Sequence, residues 1–163
     1  MEVYGLIQLS FAQANVFEDY MQLPLWSIKR PDYLHCSVAC GYFANYSLGC
    51  GYENRWIYKV ILDFLYNYWK ENDKLIDYLL TDYVIVLAQK HYKEISDAFS
   101  KIEPNNTYCD ELYKVLGQPY DENIWKKISK DTVLYKLTWK QSFEKEVDGK
   151  KTFYGKLIDG TLV

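Results

Sequence analysis

The chain has only two histidines and no glycine pattern of the kind that surrounds an elbow nucleophile, so no Ser/His/Asp arrangement can be assembled from it. It has no P-loop and no dinucleotide fingerprint, which excludes the commonest phosphate cradles. It has no basic excess either: the net charge is -3 and the pI about 5.4, so nothing offers the field that nucleic acid or anionic lipid requires. No uninterrupted apolar run reaches the roughly 18 residues of a membrane span. The N-terminus lacks the basic, apolar and small-residue succession of a signal peptide, and the expectation is a cytoplasmic chain, at most peripheral to the inner face of the membrane. Cysteine is sparse, and with no sign of export Cys36, Cys40, Cys50 and Cys109 are expected as reduced thiols. The spacing of His35, Cys36, Cys40 and Cys50 matches no common zinc finger, so no metal site is read from them. Repeats, low-complexity tracts and linkers are also missing. At 163 residues, 49% apolar and 25% charged, the chain is expected to be a single domain over residues 1–163 that buries about two-thirds of its unfolded surface.

What is abundant is aromatic side chain, 18% of residues with 17 Tyr and 5 Trp. Such rings suit both core packing and stacking on the C–H faces of sugars. Many of them fall in residues 56–88, WIYKVILDFLYNYWKENDKLIDYLLTDYVIVLA. Trp56, Ile57, Val60, Ile61, Phe64, Leu65 and Tyr68 make one helical stripe, with Lys59, Asp63, Asn67 and Lys70 opposite. Glu71, Asn72 and Asp73 break that pattern, and Asn72 or Asp73 is placed to cap a second helix. From Leu75 to Leu87 the apolar residues surround the helix axis, which predicts an interior helix. Two acids interrupt it. Asp77 near Thr81 reads as a first-turn acid favoured by the helix dipole or as a functional group. Asp82, among Leu79 and Val86, reads as a hydrogen-bonded structural carboxylate or as a functional one.

Elsewhere residues 3–11 and 24–28 read as short strands, residues 17–21 as a helical turn, and residues 29–32 as a turn. Residues 35–50 mix small residues with aromatics and suggest strand and loop in close approach, bordering a ligand or a tight sheet corner. Residues 91–102 continue as a polar helix stopped by Pro104. Short helices are expected over residues 109–116, stopped by Gly117, and over 121–130, acidic at the start and basic at the end. Residues 133–138 alternate like a strand, and the Asp148-Gly149 pair within residues 143–157 signals a hairpin with extended flanks. The whole is expected to be mixed α/β, with short strands and a helical C-terminal half.

Two segments carry a resemblance. Residues 66–85, YNYWKENDKLIDYLLTDYVI, and residues 135–140, YKLTWK, together resemble the capsular polysaccharide synthesis family of bacterial glycosyltransferases, with a likeness extending over residues 17–140. The family pattern is a Tyr-Trp pair, a polar gap, an Ile-Asp-Tyr-Phe-Leu-like segment and a late Lys-Leu-Thr-aromatic-Lys motif. What this resemblance implies is a partial GT-A-like nucleotide-sugar transferase fold, a nucleotide-sugar donor and a saccharide acceptor. It also implies a divalent cation, Mn or Mg, on an Asp from an upstream Gly-Gly-x-Trp-x-Asp segment. With Gly5 matched to the second Gly of that segment, Leu9 stands where the Asp is expected, so the cation's usual ligand and the nucleotide-binding half are expected to be missing from this chain. Such chemistry needs cations on the departing diphosphate and a carboxylate at the sugar. On an alternating strand Lys136 and Lys140 would share a face and, with Thr138 between them, grip the diphosphate. Their bland role is a solvated edge that discourages strand pairing. Asp77, and second to it Asp82, would act at the sugar. The alternative is a non-catalytic remnant or accessory module that binds carbohydrate or a protein partner, and a sheet edge would permit a homo-oligomer.

Overall fold

A computed structural model of the chain describes residues 6–8, 25–31, 38–138 and 140–162. The helical turn expected over residues 17–21, the His35–Cys36 pair, Gly5, Leu9 and Trp139 lie outside the described residues. The architecture is mixed α/β with short strands, as its alternating periodicities imply, and it divides into two compact units.

One unit spans Asn15–Asn105. Here β1 (Trp26–Ser27) pairs antiparallel with β2 (Leu48–Gly49), and three helices follow: α1 (Arg55–Glu71), α2 (Leu80–His91) and α3 (Lys93–Ser100). Ile57 and Ile61 of α1 meet Leu80, Val84, Ile85 and Ala88 of α2 and Ile95 and Phe99 of α3 in one buried cluster. Trp56, Val60, Leu65 and Tyr68 of the stripe expected for α1 pack against this cluster, as does Ala98 of α3, but Phe64 is exposed, which corrects that member of the stripe. The second helix departs further from expectation. It starts at Leu80 rather than after Asn72, because Asn72 closes α1 by donating from its backbone and side-chain nitrogens to the Tyr68 carbonyl at 2.9 and 2.8 Å. The Tyr68 hydroxyl then donates to the Lys74 carbonyl at 2.5 Å and accepts from Ile76 N–H at 3.1 Å, which holds residues 74–76 in a non-helical elbow. Leu75, Ile76 and Tyr78 before α2 are exposed, and so are Tyr83 and Leu87 within it, which corrects the expectation of an interior helix.

The other unit comprises Met1–Ala14 and Asn106–Val163. Its strand Leu6–Gln8 pairs antiparallel with β3 (Leu134–Lys136), Ile7 standing opposite Tyr135. The helices α4 (Leu112–Val115) and α5 (Glu122–Ser129) precede β3, and the Asp121 carboxylate caps α5 by accepting from Asn123 and Ile124 N–H. The hairpin is confirmed: β4 (Glu146–Val147) and β5 (Lys150–Lys151) are joined through Asp148 at φ 51° and Gly149 at φ 71°, the left-handed pair such a turn demands. Its C-terminal flank is not extended, however. Residues Phe153–Ile158 form α6, capped by the Thr152 hydroxyl accepting from Gly155 N–H at 3.0 Å. Leu112, Leu116, Trp125, Ile128, Tyr135, Phe153 and Leu162 make this unit's core.

Candidate functional site

Asp82 is the one charged side chain that the Asn15–Asn105 unit places within its packed layer among the described residues, 5% exposed. It is the third residue of α2, and burying Leu80, Val84 and Ile85 around it carries the carboxylate inward with them. Asn45 Nδ2 donates to its Oδ2 at 2.5 Å. Burial pushes the Asp82 carboxyl above the ordinary carboxylate range, while the Asn45 amide and a backbone N–H oppose that shift. A carboxyl held in this way can exchange a proton nearer neutrality than an exposed one.

The segment that delivers Asn45 is fixed from β1. Buried Ser27 accepts the Ala44 N–H at 2.8 Å, so the residue next to Asn45 is tied to a strand. Arg30 N–H donates to the Gly41 carbonyl at 2.7 Å across the mouth of the same loop. Gly41 has φ +77°, and a Cβ there would stand 2.1 Å from the Arg30 carbonyl oxygen, so only glycine closes the loop. Among the described residues of this unit, Ser47 Oγ and the Tyr58 hydroxyl are buried with no hydrogen-bond partner. Burial, reinforced by nearby Cys50, raises the Tyr58 phenol well above its usual range and keeps it protonated.

Asp77, the first-ranked acid from the sequence, is exposed and precedes α2 rather than lying in its first turn. Its Oδ1 accepts Leu79 N–H at 2.7 Å, an Asx turn that starts the helix. Asp77 and Asp82 thus share a unit but stand in opposite surroundings, one wet and one dry.

Lys136, Thr138 and Lys140 belong to the other unit. Lys136 is half-buried at the end of β3, and its N–H donates to the Cys109 carbonyl at 2.9 Å. The expected continuation of the strand to Thr138 is not seen. The half-buried Thr138 instead accepts Lys140 N–H on its Oγ1 at 3.1 Å. Lys140 is exposed. Tyr135, which opens the same motif, is core: its hydroxyl donates to the Thr132 carbonyl at 3.0 Å.

Among the described residues no three His, Cys, Asp or Glu side chains gather as a group able to hold a metal ion, and no helix is long and apolar enough to cross a membrane. Sequence reasoning missed Asn45, Ser27 and Tyr58. Its only pointer was the small-residue composition of residues 35–50.

A model of the capsular polysaccharide synthesis protein family matches residues 10–157, which takes in Asn45, both acids and the whole late Lys-Leu-Thr-Trp-Lys segment. The chain belongs to the capsular polysaccharide synthesis protein family. Nothing matches it among the curated proteins or the solved structures. For this family member, the resemblance read from residues 66–85 and 135–140 is therefore correct, and a role in capsule biosynthesis follows at the level of the family.

Proposed function

We propose that this chain acts as a glycosyltransferase in capsular or other surface polysaccharide assembly, moving a sugar from a nucleotide-sugar donor to a saccharide acceptor on a GT-A-like scaffold. The observation that carries the reading is the family match over residues 10–157, which encloses both motif segments in their expected order. Asp82 supports it chemically. A buried carboxyl with a raised pKa and a fixed amide neighbour suits it to orient a sugar hydroxyl and take its proton. Asp77, exposed at the start of the same helix, would contact the sugar from solvent. Lys136, Thr138 and Lys140 would neutralise and hold the departing diphosphate. A divalent cation, Mn or Mg, belongs to this chemistry, but the described residues do not assemble its ligands.

The test is calorimetric titration of the full chain with uridine and guanosine diphosphates, with and without manganese. Binding is expected, and Lys140→Ala is expected to weaken it about tenfold while leaving saccharide binding unchanged. Equal donor affinity in variant and parent would remove Lys140 from the diphosphate site. The second reading, a non-catalytic module that binds carbohydrate or a protein partner, draws support from the apolar side chains exposed on α1 and its elbow. Saccharide binding without diphosphate binding would favour it.

A further inference from the structure

The Asn15–Asn105 unit holds a cleft of about 490 Å³, a size at which small-molecule sites occur. Buried Leu25, Trp26 and Ile102 form its apolar part. Glu94, Asp97, Ala98 and Lys101 line it from one face of α3, at i, i+3, i+4 and i+7, and Lys101 keeps helical dihedrals as the C-cap. Neither Asp82 nor Asn45 lines it. Successive side chains of a strand point to opposite faces, so Trp26 of β1 enters this cleft while Ser27 turns away to the Ala44 N–H of the loop that carries Asn45.

The walls are cross-bonded. Lys29 Nζ donates to the Ile102 carbonyl at 2.6 Å, and Asn105 N–H donates to the Lys29 carbonyl at 2.9 Å. Asn105, itself part of the lining, donates from Nδ2 to the Ser27 carbonyl at 3.0 Å and to the Glu103 carbonyl at 2.9 Å. A cleft built in this way has little freedom left to lose when it fills. Asn54 lines it from the N-cap of α1, where an asparagine side chain ordinarily accepts N–H from the first turn. Asp121 and Thr152 do so at the caps of α5 and α6, but the Asn54 side chain makes no such bond, which leaves its amide to the cleft.

The charge of the lining selects among ligands. Among the described lining residues Glu94, Asp97 and Glu103 are carboxylates, and Lys101 is the one cation. Lys93 pairs with Asp97 from outside the lining, and with it counted the balance is still negative. Such a cleft repels a diphosphate and attracts an ammonium group. Its apolar part suits the C–H face of a sugar ring, and its carboxylates and amides suit hydroxyl groups.

We propose that this cleft binds an amino-sugar unit of a saccharide, with the ring against Trp26 and Ile102 and the ammonium among Glu94, Asp97 and Glu103. The sugar character of the ligand rests on the saccharide reading under Proposed function, and its positive charge rests on the lining residues.

Titration of the full chain with glucosamine, N-acetylglucosamine and cyclohexylamine, followed by nitrogen–proton correlation spectra, tests this at about pH 6, where amines are protonated and carboxylates ionised. Glucosamine is expected to bind with a Kd of about 1–10 mM, as so few atoms allow, and to shift the Trp26 indole and the Asn54 and Asn105 amide signals. N-acetylglucosamine keeps the ring without the charge and cyclohexylamine keeps the charge without the hydroxyls, and each is expected to bind about tenfold more weakly. Glu94→Gln with Glu103→Gln, both at exposed positions, is expected to weaken glucosamine binding about tenfold and to leave uridine diphosphate binding unchanged. No glucosamine shifts up to about 100 mM would overturn the inference. Equal binding of N-acetylglucosamine would overturn it too, as would equal binding of cyclohexylamine or an indifferent double variant. Diphosphate binding without glucosamine binding removes this cleft and leaves the transferase reading standing; glucosamine binding without diphosphate binding does the reverse.

Discussion

Asp82 carries the sharpest residue-scale consequence. In the folded chain its carboxyl holds a proton to higher pH than the ordinary value of about 3.9, because burial disfavours the charged form. Between those two pKa values the folded state binds more protons than the unfolded state, so Asp82's contribution to stability is present at low pH and is lost as pH rises through the raised pKa. Asp82→Asn should flatten that slope and raise the melting temperature at pH 7 relative to the parent, as read from thermal melts between pH 4 and 8. A variant that keeps the parental slope would assign the pH dependence elsewhere. Asn45→Ala acts in the opposite sense. It takes the Asn45 amide donor from a buried carboxylate, and it should cost about 1–3 kcal/mol at neutral pH in urea unfolding, with the Asp82 carboxyl moving further up in an NMR titration. The sequence marked Asp82 as an anomaly because an acid stood among apolar neighbours. It could not reveal Asn45, since a contact across 37 positions of chain leaves no local periodicity.

At the scale of elements, the loop carrying Asn45 depends on a single glycine. Gly41→Ala forces a side chain into a left-handed backbone and against the Arg30 carbonyl, and it should destabilise the chain by about 1–3 kcal/mol or more. Gly49→Ala is the control, since its added Cβ meets only the Trp26 ring at 3.6 Å; urea midpoints compare the two, and an equal cost at both would refute the close-approach argument. Helix α1, α3, α5 and the Asp148-Gly149 hairpin were legible because each rests on a local code of periodicity, cap or turn. Three boundaries were not. The start of α2 moved to Leu80 because the Tyr68 hydroxyl captures the elbow backbone. The strand β3 stopped at Lys136, and Thr138 beyond it bonds Lys140 N–H through its side chain. Helix α6 formed where extended backbone was expected because Thr152 caps it.

For the molecule as a whole, the two compact units each have their own buried cluster. Ile57→Ala, at 0% exposure in one cluster, should cost about 2–5 kcal/mol, and Phe153→Ala, at 0% in the other, about 3–5 kcal/mol. Because each side chain belongs to its own buried cluster, the double variant should show the sum to within about 0.5 kcal/mol in denaturant unfolding. A larger departure would mean that the two cores are energetically coupled.

The amino-acid order by itself determined the family, the mixed α/β character and most helix faces, because motif spacing, hydrophobic period and capping residues act within a few positions of one another. It also singled out Asp77, Asp82, Lys136, Thr138 and Lys140 as candidates, on residue type and resemblance. Only the tertiary structure separated them by environment. Asp77 was left in water as a turn former, Asp82 was drawn inward beside Asn45, and Lys136 was left half-buried where Lys140 was left exposed. Solvation and side-chain pairing arise from segments that meet only when the chain has folded, and no linear pattern encodes which two will meet.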